Sequence, residues 1–358
     1  MIASKTTSGN TITPEQPAGR WTRVVSIFTK INLFFSFALL ILLSGCGGGP
    51  DVTQATGHGI LLATSQGLFN ISFSSNGSST LTSTTPIIAG GINAMVAVEN
   101  ASYPINGPML VTTNGTTISA YTLTGGIPTP TGQAISTSNC SSFSSINSLA
   151  VTPDGKYLLA TSMANQELYI ITLASGYPCT QTIPTYYPTS YPTSVAVECL
   201  GLSSPCQIFL TLSTSSSPGS STAPEVLSWT EGNSLSTSTT TTLTDLTPPA
   251  SSVIFDNEIS FFYALVTETN STVYNVSGVK PISSTSKYES SVSYGNLPFS
   301  NPCLDPLGQT LYTPTLTGSV YSASVSISGS IGSPQQIWSL SSNPSGVQIS
   351  PITSCVAY

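Results

Sequence analysis

A pattern of short strands returns about every fifty residues along this chain, and it constrains the fold more than any other feature. The clearest copy is Ser148-Leu-Ala-Val-Thr-Pro-Asp-Gly-Lys-Tyr-Leu-Leu-Ala-Thr161, followed by Glu167-Leu-Tyr-Ile-Ile-Thr-Leu173. Two apolar strands flank a Pro-Asp-Gly turn, and a third follows a polar break. The middle strand reappears as Leu61-Leu-Ala-Thr64, Met109-Leu-Val-Thr112, Ile208-Phe-Leu-Thr211, Ala264-Leu-Val-Thr267 and Thr310-Leu-Tyr-Thr313. With Thr161 included, the closing threonines stand 48, 49, 50, 56 and 46 residues apart. An alternating strand follows each copy, as in Gly67–Phe73, Thr117–Leu123 and Ser319–Val325. Inner strands precede several copies, at Ala94–Val98, Ser194–Val197 and Ser252–Phe255. No sustained 3.6-residue apolar period competes with this pattern.

Repeats of 40–50 residues with four short strands each predict an all-β chain folded as a β-propeller of four-stranded antiparallel blades. Six repeats predict six blades. The first repeat opens on its middle strand at Gly59 and has no inner strand before it, while Ser345-Gly-Val-Gln-Ile-Ser-Pro351 resembles an inner strand without a blade. Joining the two would close the ring and remove exposed sheet edges. Ser354-Cys-Val-Ala-Tyr358 offers a further middle strand, which would make seven blades.

Val151-Thr-Pro-Asp-Gly-Lys-Tyr-Leu-Leu-Ala-Thr161 resembles the blade motif of the YVTN and lactonase-like β-propellers, with a weaker copy in Leu304-Asp-Pro-Leu-Gly-Gln-Thr-Leu-Tyr-Thr313. From about Gly57 to Tyr358 the chain matches that family in period and hydrophobic pattern. The resemblance implies a propeller, with a lactonase-like hydrolase as one activity. Enzymes of that family use cationic, acidic and imidazole side chains in the central pocket, and no position in these repeats matches the first or last type.

Ahead of the repeats, Leu33 to Leu43 form an apolar run that follows Arg20, Arg23 and Lys30 and ends in Leu43-Ser44-Gly45-Cys46. The run is short for a membrane-spanning helix and has the build of an export signal. It resembles the lipobox of bacterial lipoproteins. That implies a signal peptide over 1–45, cleavage before Cys46, acylation of its sulfur, and a flexible tether over 46–57 leading to a propeller domain over 58–358. Acyl chains at Cys46 would anchor the protein to a bilayer. Gly47 stands where the inner-membrane retention signal of many such proteins has Asp, which implies the outer membrane of a bacterial cell envelope.

Four of the seven cations and one of the fourteen acidic residues precede Cys46, leaving Lys156, Lys280 and Lys287 against thirteen carboxylates, a net charge of −10. No arginine remains. Nucleic acid is excluded as a partner, because neutralising phosphates takes clustered Lys and Arg. With charged residues only 6% of the chain, Ser, Thr, Asn and Gln must make the solvated face. Such a surface changes little with pH, and it either suits an exported protein facing acid or reflects low-complexity drift in a Ser/Thr-rich lineage. Beyond Cys46, six cysteines remain, an even number that reads as disulfides in an exported chain. Sequence proximity and the repeat pair Cys140 with Cys179, Cys199 with Cys206, and Cys303 with Cys355, out of 15 arrangements. Metal binding is the rival reading, without a Cys-x-x-Cys and with His58 as the only histidine.

The candidate sites are few. His58, between two glycines before the first strand, reads as a solvated linker residue. Asp256 and Glu258 offer two carboxylates to a cation or a reacting bond, or form a solvated turn. Glu99, Asp154, Glu198 and Asp305 occupy corresponding turns, so a ring of carboxylates on one face is the alternative to a recurring turn residue. Pro184-Thr-Tyr-Tyr-Pro-Thr-Ser-Tyr-Pro-Thr193 sets Tyr186, Tyr187 and Tyr191 among prolines, as a binding surface for a protein or glycan or as an outer strand packed on its neighbour. Thr214–Ser221 and Ser236–Thr244 read as long flexible loops of the fourth blade. The expected function is non-catalytic binding or scaffolding, without cofactor or catalytic residue; a lactonase-like hydrolase and an envelope assembly factor are the alternatives. No oligomeric state is assigned.

Overall fold

The Pro-Asp-Gly motif folds into a tight turn held by hydrogen bonds within it. Gly155 takes a φ of 71°, open to glycine at little steric cost. Its N–H donates to the Thr152 carbonyl at 2.8 Å, while Asp154 Oδ1 accepts from the Lys156 N–H at 3.1 Å and from the Thr152 hydroxyl at 2.7 Å. The returning strand then pairs residue for residue, Val151 with Leu158 and Ser148 with Thr161. In a computed structural model, residues 59–358 are described apart from 75–77, 102–103, 106, 131, 136–143, 174–180, 183–189, 200–204, 217–220, 232–238, 247–248, 257–259, 267–270, 278–287 and 341–348.

The regular elements among the described residues are all strands, and they make six antiparallel sheets, one per repeat. The fourth is typical, running outward in the order Tyr191–Glu198, Cys206–Ser213, Ser221–Trp229 and Thr239–Thr242. In the first and second sheets the outermost strand is broken into two short pieces. The innermost strands are Ile352–Ala357, Ala94–Ala101, Ile146–Val151, Tyr191–Glu198, Ser252–Asp256 and Cys303–Leu304, and residues of all six line one central channel. Six sheets around a common channel are a six-bladed β-propeller.

Ile352–Ala357 closes the ring as the innermost strand of the first blade, pairing Leu61 with Val356 and Leu62 with Cys355. The expected closing strand, Ser345–Pro351, lies too early: Ser350 and Pro351 precede the paired segment. Ser354–Tyr358 is therefore part of an inner strand, and the seven-blade alternative falls. Pairing with the first blade selects the segment: Val356 packs toward the second blade while Ile352, Cys355 and Ala357 pack toward the sixth, the strand being irregular at Thr353. Cys355 meets Cys303 of the sixth blade in a disulfide with Cα atoms 5.5 Å apart, and Cys199 is bonded to Cys206 across the fourth blade's first hairpin. Both match the expected pairs; Cys140 and Cys179 lie outside the described residues.

Each strand presents apolar side chains to both neighbouring blades, and one hydrophobic cluster fills each seam. Leu158, Val111 and Ile171 lie between the second and third blades, Leu210, Val197 and Ile170 between the third and fourth, and Phe209, Phe262 and Val253 between the fourth and fifth. Leu311, Tyr263 and Phe299 fill the next seam, Leu62, Cys303 and Trp338 the closing one, and Leu61, Met95 and Leu110 that between the first and second blades. Part of the fourth blade's second Ser/Thr stretch is a strand and not the expected loop, for Thr239–Thr242 pairs with Glu225–Ser228 as the outer strand. Threonine's branched Cβ favours that role.

Closing 52 residues of chain, the Cys303–Cys355 bond should contribute about 4 kcal/mol by restricting the unfolded ensemble. Replacing both cysteines with alanine should lower the thermal midpoint and make Ile352–Tyr358 the first site of limited proteolysis. First cleavage elsewhere would show that other contacts hold the closure.

Candidate functional site

The central channel has a volume of about 340 Å³. Along each inner strand, every second side chain leans toward the following blade, which sorts these forward-leaning residues into three tiers. The first tier is small and largely polar: Ser354, Ala94, Ser148, Ser194, Ser252 and Asn301. Next come Val356, Val96, Ala150, Ala196, Ile254 and Cys303. The last tier, at the far end of the strands, holds Tyr358, Val98, Thr152, Glu198, Asp256 and Asp305.

At the first tier the blades are hydrogen-bonded to one another around the ring. Val195 N–H donates to Ser148 Oγ at 3.2 Å, Val253 N–H to Ser194 Oγ at 3.3 Å, and Ser252 Oγ to Asn301 Oδ1 at 2.8 Å. Asn301 N–H donates to the Thr353 carbonyl at 3.4 Å, and Thr353 Oγ1 donates to the Ile92 carbonyl at 2.6 Å. Asn93 Nδ2 continues to the Ile146 carbonyl at 3.4 Å, and Asn147 Nδ2 to that of Pro192 at 3.2 Å, which completes the circuit.

The expected ring of carboxylates divides on inspection of each member. Glu99 is out of step: with Met95 and Ala97, which pack toward the first blade, it turns backward and is exposed. Asp154 belongs to its turn, where Lys156 Nζ lies 2.5 Å from Oδ2. Partial burial pushes its pKa up, but hydrogen bonds from Lys156 and Thr152 outweigh burial and hold it below the ordinary value. Asp305 is the counterpart of Thr152, not of Asp154, since both start a turn and cap it: Asp305 Oδ1 accepts from the N–H of Gln309 and Thr310 at 2.6 and 2.7 Å, as Thr152 Oγ1 accepts from Tyr157 N–H at 3.1 Å. Asp256 is buried against the turn of the sixth blade, where a Cβ built on Gly308 would lie 2.5 Å from its Oδ1. Glu198, 2% exposed, faces the fifth blade with neither oxygen hydrogen-bonded. Burial pushes its pKa up to about 7. Four of these carboxylates serve turns, solvent or a blade contact, so no shared anionic centre forms.

Tyr358 fills the last-tier position of the first blade. Its hydroxyl donates to Asn70 Oδ1 at 3.0 Å, and its ring covers Gly126, where a Cβ would come within 1.8 Å of Cδ2. No motif in the sequence marks this wedge between the first two blades. Tyr263, fully buried between the fifth and sixth blades, keeps a hydroxyl without a hydrogen-bond partner. Burial, with the Asp256 carboxylate nearby, pushes that phenol above its ordinary range.

Cys199, Cys206 and Glu231 are the one group among the described residues with three metal-type ligand atoms within 4.8 Å of each other. There the two sulfurs are bonded to each other, and Glu231 Oε1 stands 3.7 Å from Cys206 Sγ. Tyr191 does not sit on a loop: it opens the fourth blade's inner strand, paired with Ser213. Tyr186, Tyr187, His58, Glu258 and Cys46 lie outside the described residues. Asn70, of the sequon Asn70-Ile-Ser, is buried at 3% exposure.

No protein-family model matches the chain, and no curated protein matches its sequence. Among solved structures it is similar to the β-propeller domain of Myceliophteria thermophila Cps50 (Swd1), at 12% identity over 67% of this chain and 66% of that one, TM-score 0.45. That alignment spans just under two thirds of the Cps50 chain. It is similar also to a chain of a nidogen/laminin complex, at 11% identity over 84% and 98%, TM-score 0.49. A functionally unknown protein from Desulfotomaculum acetoxidans DSM 771 aligns at 14% identity over 77% and 78%, TM-score 0.46. The class assigned to this chain, a six-bladed β-propeller closed by its last strand, rests on its own strand pairing.

Two substitutions test this description of the lining. Tyr263→Phe removes a buried hydroxyl that bonds nothing and should raise stability by about 1 kcal/mol in denaturant titration; a loss of that size would reveal a partner for the hydroxyl. Gly308→Ala must place a Cβ against Asp256 at a φ of 64°. It should cost at least about 1 kcal/mol, and an unchanged midpoint would mean that Asp256 does not rest there.

Proposed function

We propose that this protein is a lipid-anchored β-propeller of the bacterial cell envelope that binds or scaffolds another macromolecule and does not catalyse. The observation that carries the reading is the lining of the channel: aliphatic, hydroxyl, amide and carboxylate side chains, with no Lys, Arg or His among the described lining residues. The expected lipobox at Leu43-Ser-Gly-Cys46 supports the anchor, with the outer membrane as its address.

The geometry of attachment adds to this reading. Gly59, the first described residue, exchanges backbone hydrogen bonds with Tyr358 at 3.3 and 3.1 Å, at the carboxylate end of the channel. A tether over 46–57 would reach at most about 40 Å when extended. On this reading the tether would enter at that end, and the end with the hydrogen-bonded belt is the one offered to a protein or glycan partner. Tyr191 begins its strand on the belt side, and Tyr186 and Tyr187 precede it in sequence.

Cys46→Ser should move the protein from the membrane fraction to the soluble fraction and abolish incorporation of labelled palmitate. Affinity capture from envelope extracts with the lipidated protein, read by mass spectrometry, should retain a partner that is lost when Tyr186, Tyr187 and Tyr191 are all changed to Ser. Membrane association and labelling that survive Cys46→Ser would remove the anchor; capture unchanged by the triple substitution, with the fold intact, would remove the tyrosine surface.

A further inference from the structure

Among the polar side chains of the channel's last tier, Glu198 alone has no partner. Thr152 and Asp305 cap their turns, Tyr358 donates to Asn70, and Asp256 lies against Gly308. Both oxygens of Glu198 are buried and unbonded. The residue stands at the end of its inner strand, in the seam between the fourth and fifth blades. Ala196, two residues earlier on the same side of the strand, packs in that seam with Val253 and Phe262, and Phe255 and Tyr288 border the cluster.

We propose that the seam between the fourth and fifth blades is an acid-closed latch, shut while Glu198 carries a proton and loosened when that proton leaves. A neutral carboxyl can remain among aromatic and aliphatic groups at modest cost, whereas a carboxylate without hydrogen bond or counter-ion is expensive to bury and recovers its hydration only when the seam parts. Among the described residues no charged neighbour offsets this. Gln207 stands opposite Glu198 on its own sheet, and Phe255 and Tyr288 come from the fifth blade. Asp256 turns to the sixth blade, and Glu231 lies beside Cys206, whose side chain packs toward the third. Desolvation is the one cause of the upward shift at Glu198.

The direction of the response follows from the pKa being raised in the closed state. Closure is fully supported below the ordinary carboxyl value of 4.5, and that support is lost as pH rises toward about 7, after which the effect levels off. A shift of this size changes the opening equilibrium by roughly a hundredfold or more across the window.

Hydrogen exchange read by mass spectrometry at pH 5 and pH 8, corrected for the intrinsic rate, tests the latch. In the wild-type protein, peptides covering Tyr191–Glu198 and Ser252–Asp256 should lose roughly a hundredfold of protection at pH 8, while Ile352–Ala357 keeps its own. Glu198→Gln, neutral at both values, should abolish the difference. A pH dependence retained in Glu198→Gln, or missing from the wild-type protein, overturns the proposal. Should Glu198→Gln fail to fold, infrared difference spectra of the wild-type protein decide: the carbonyl stretch of a protonated carboxyl should be present at pH 5 and gone by pH 8, and its absence at pH 5 overturns the latch equally.

Discussion

The circuit of hydrogen bonds between blades at one end of the channel holds this structure in register. A propeller blade cannot bury its faces alone, and side-to-side packing leaves each sheet free to slide along its neighbour. Ser148, Ser194, Ser252, Asn301 and Thr353 remove that freedom, because each ties its strand to the next at one height. Their groups are short, so the strands must come close, and the middle tier is accordingly small, with Ala150, Ala196 and Val96. Apolar clusters then fill the seams farther out, where the sheets diverge and Trp229, Tyr169 and Phe209 fit.

The scarcity of charge fits this arrangement. Neutral hydroxyl and amide hydrogen bonds between blades carry no ionic desolvation penalty and do not titrate. The one ion pair among the described residues, Lys156 with Asp154, is surface-exposed on the lysine side and worth little. Its role is local, to fix a turn. Against that background the Glu198 carboxyl, buried with neither oxygen hydrogen-bonded, stands out.

Much of this was legible in the sequence, and for a physical reason. Five of the six threonines that mark the period lie at or near the end of a blade's second strand; Thr64, Thr161, Thr211 and Thr313 are completely buried there, so their recurrence reports a position where a β-branched residue with one hydroxyl fits. The disulfides Cys199–Cys206 and Cys303–Cys355 were legible because each joins neighbouring strands. Placement of the closing strand failed, since Gly346-Val-Gln-Ile349 and Ile352–Ala357 alternate equally well, and register over so short a stretch is settled by pairing with Leu61 and Leu62. The carboxylates misled for another reason. Glu99, Glu198 and Asp305 look equivalent by distance from a repeat, but one residue of slip turns Glu99 to the opposite side, and no sequence distance reports that. Tyr358 was invisible because its importance lies in two glycines, Gly59 and Gly126, that only the fold brings to its ring.

The way the ring closes also bears on how the chain must be made. Thr353 reaches the Ala63 carbonyl across 290 residues, so the earliest blade to leave the ribosome is the last to be finished. Until then Gly59–Thr64, buried at every position in the native fold, presents an open apolar edge. Contacts of such sequence separation form slowly. Throughout synthesis the polypeptide therefore carries an unpaired edge, and a ribosome that stalls near its end would leave behind a template for aggregation.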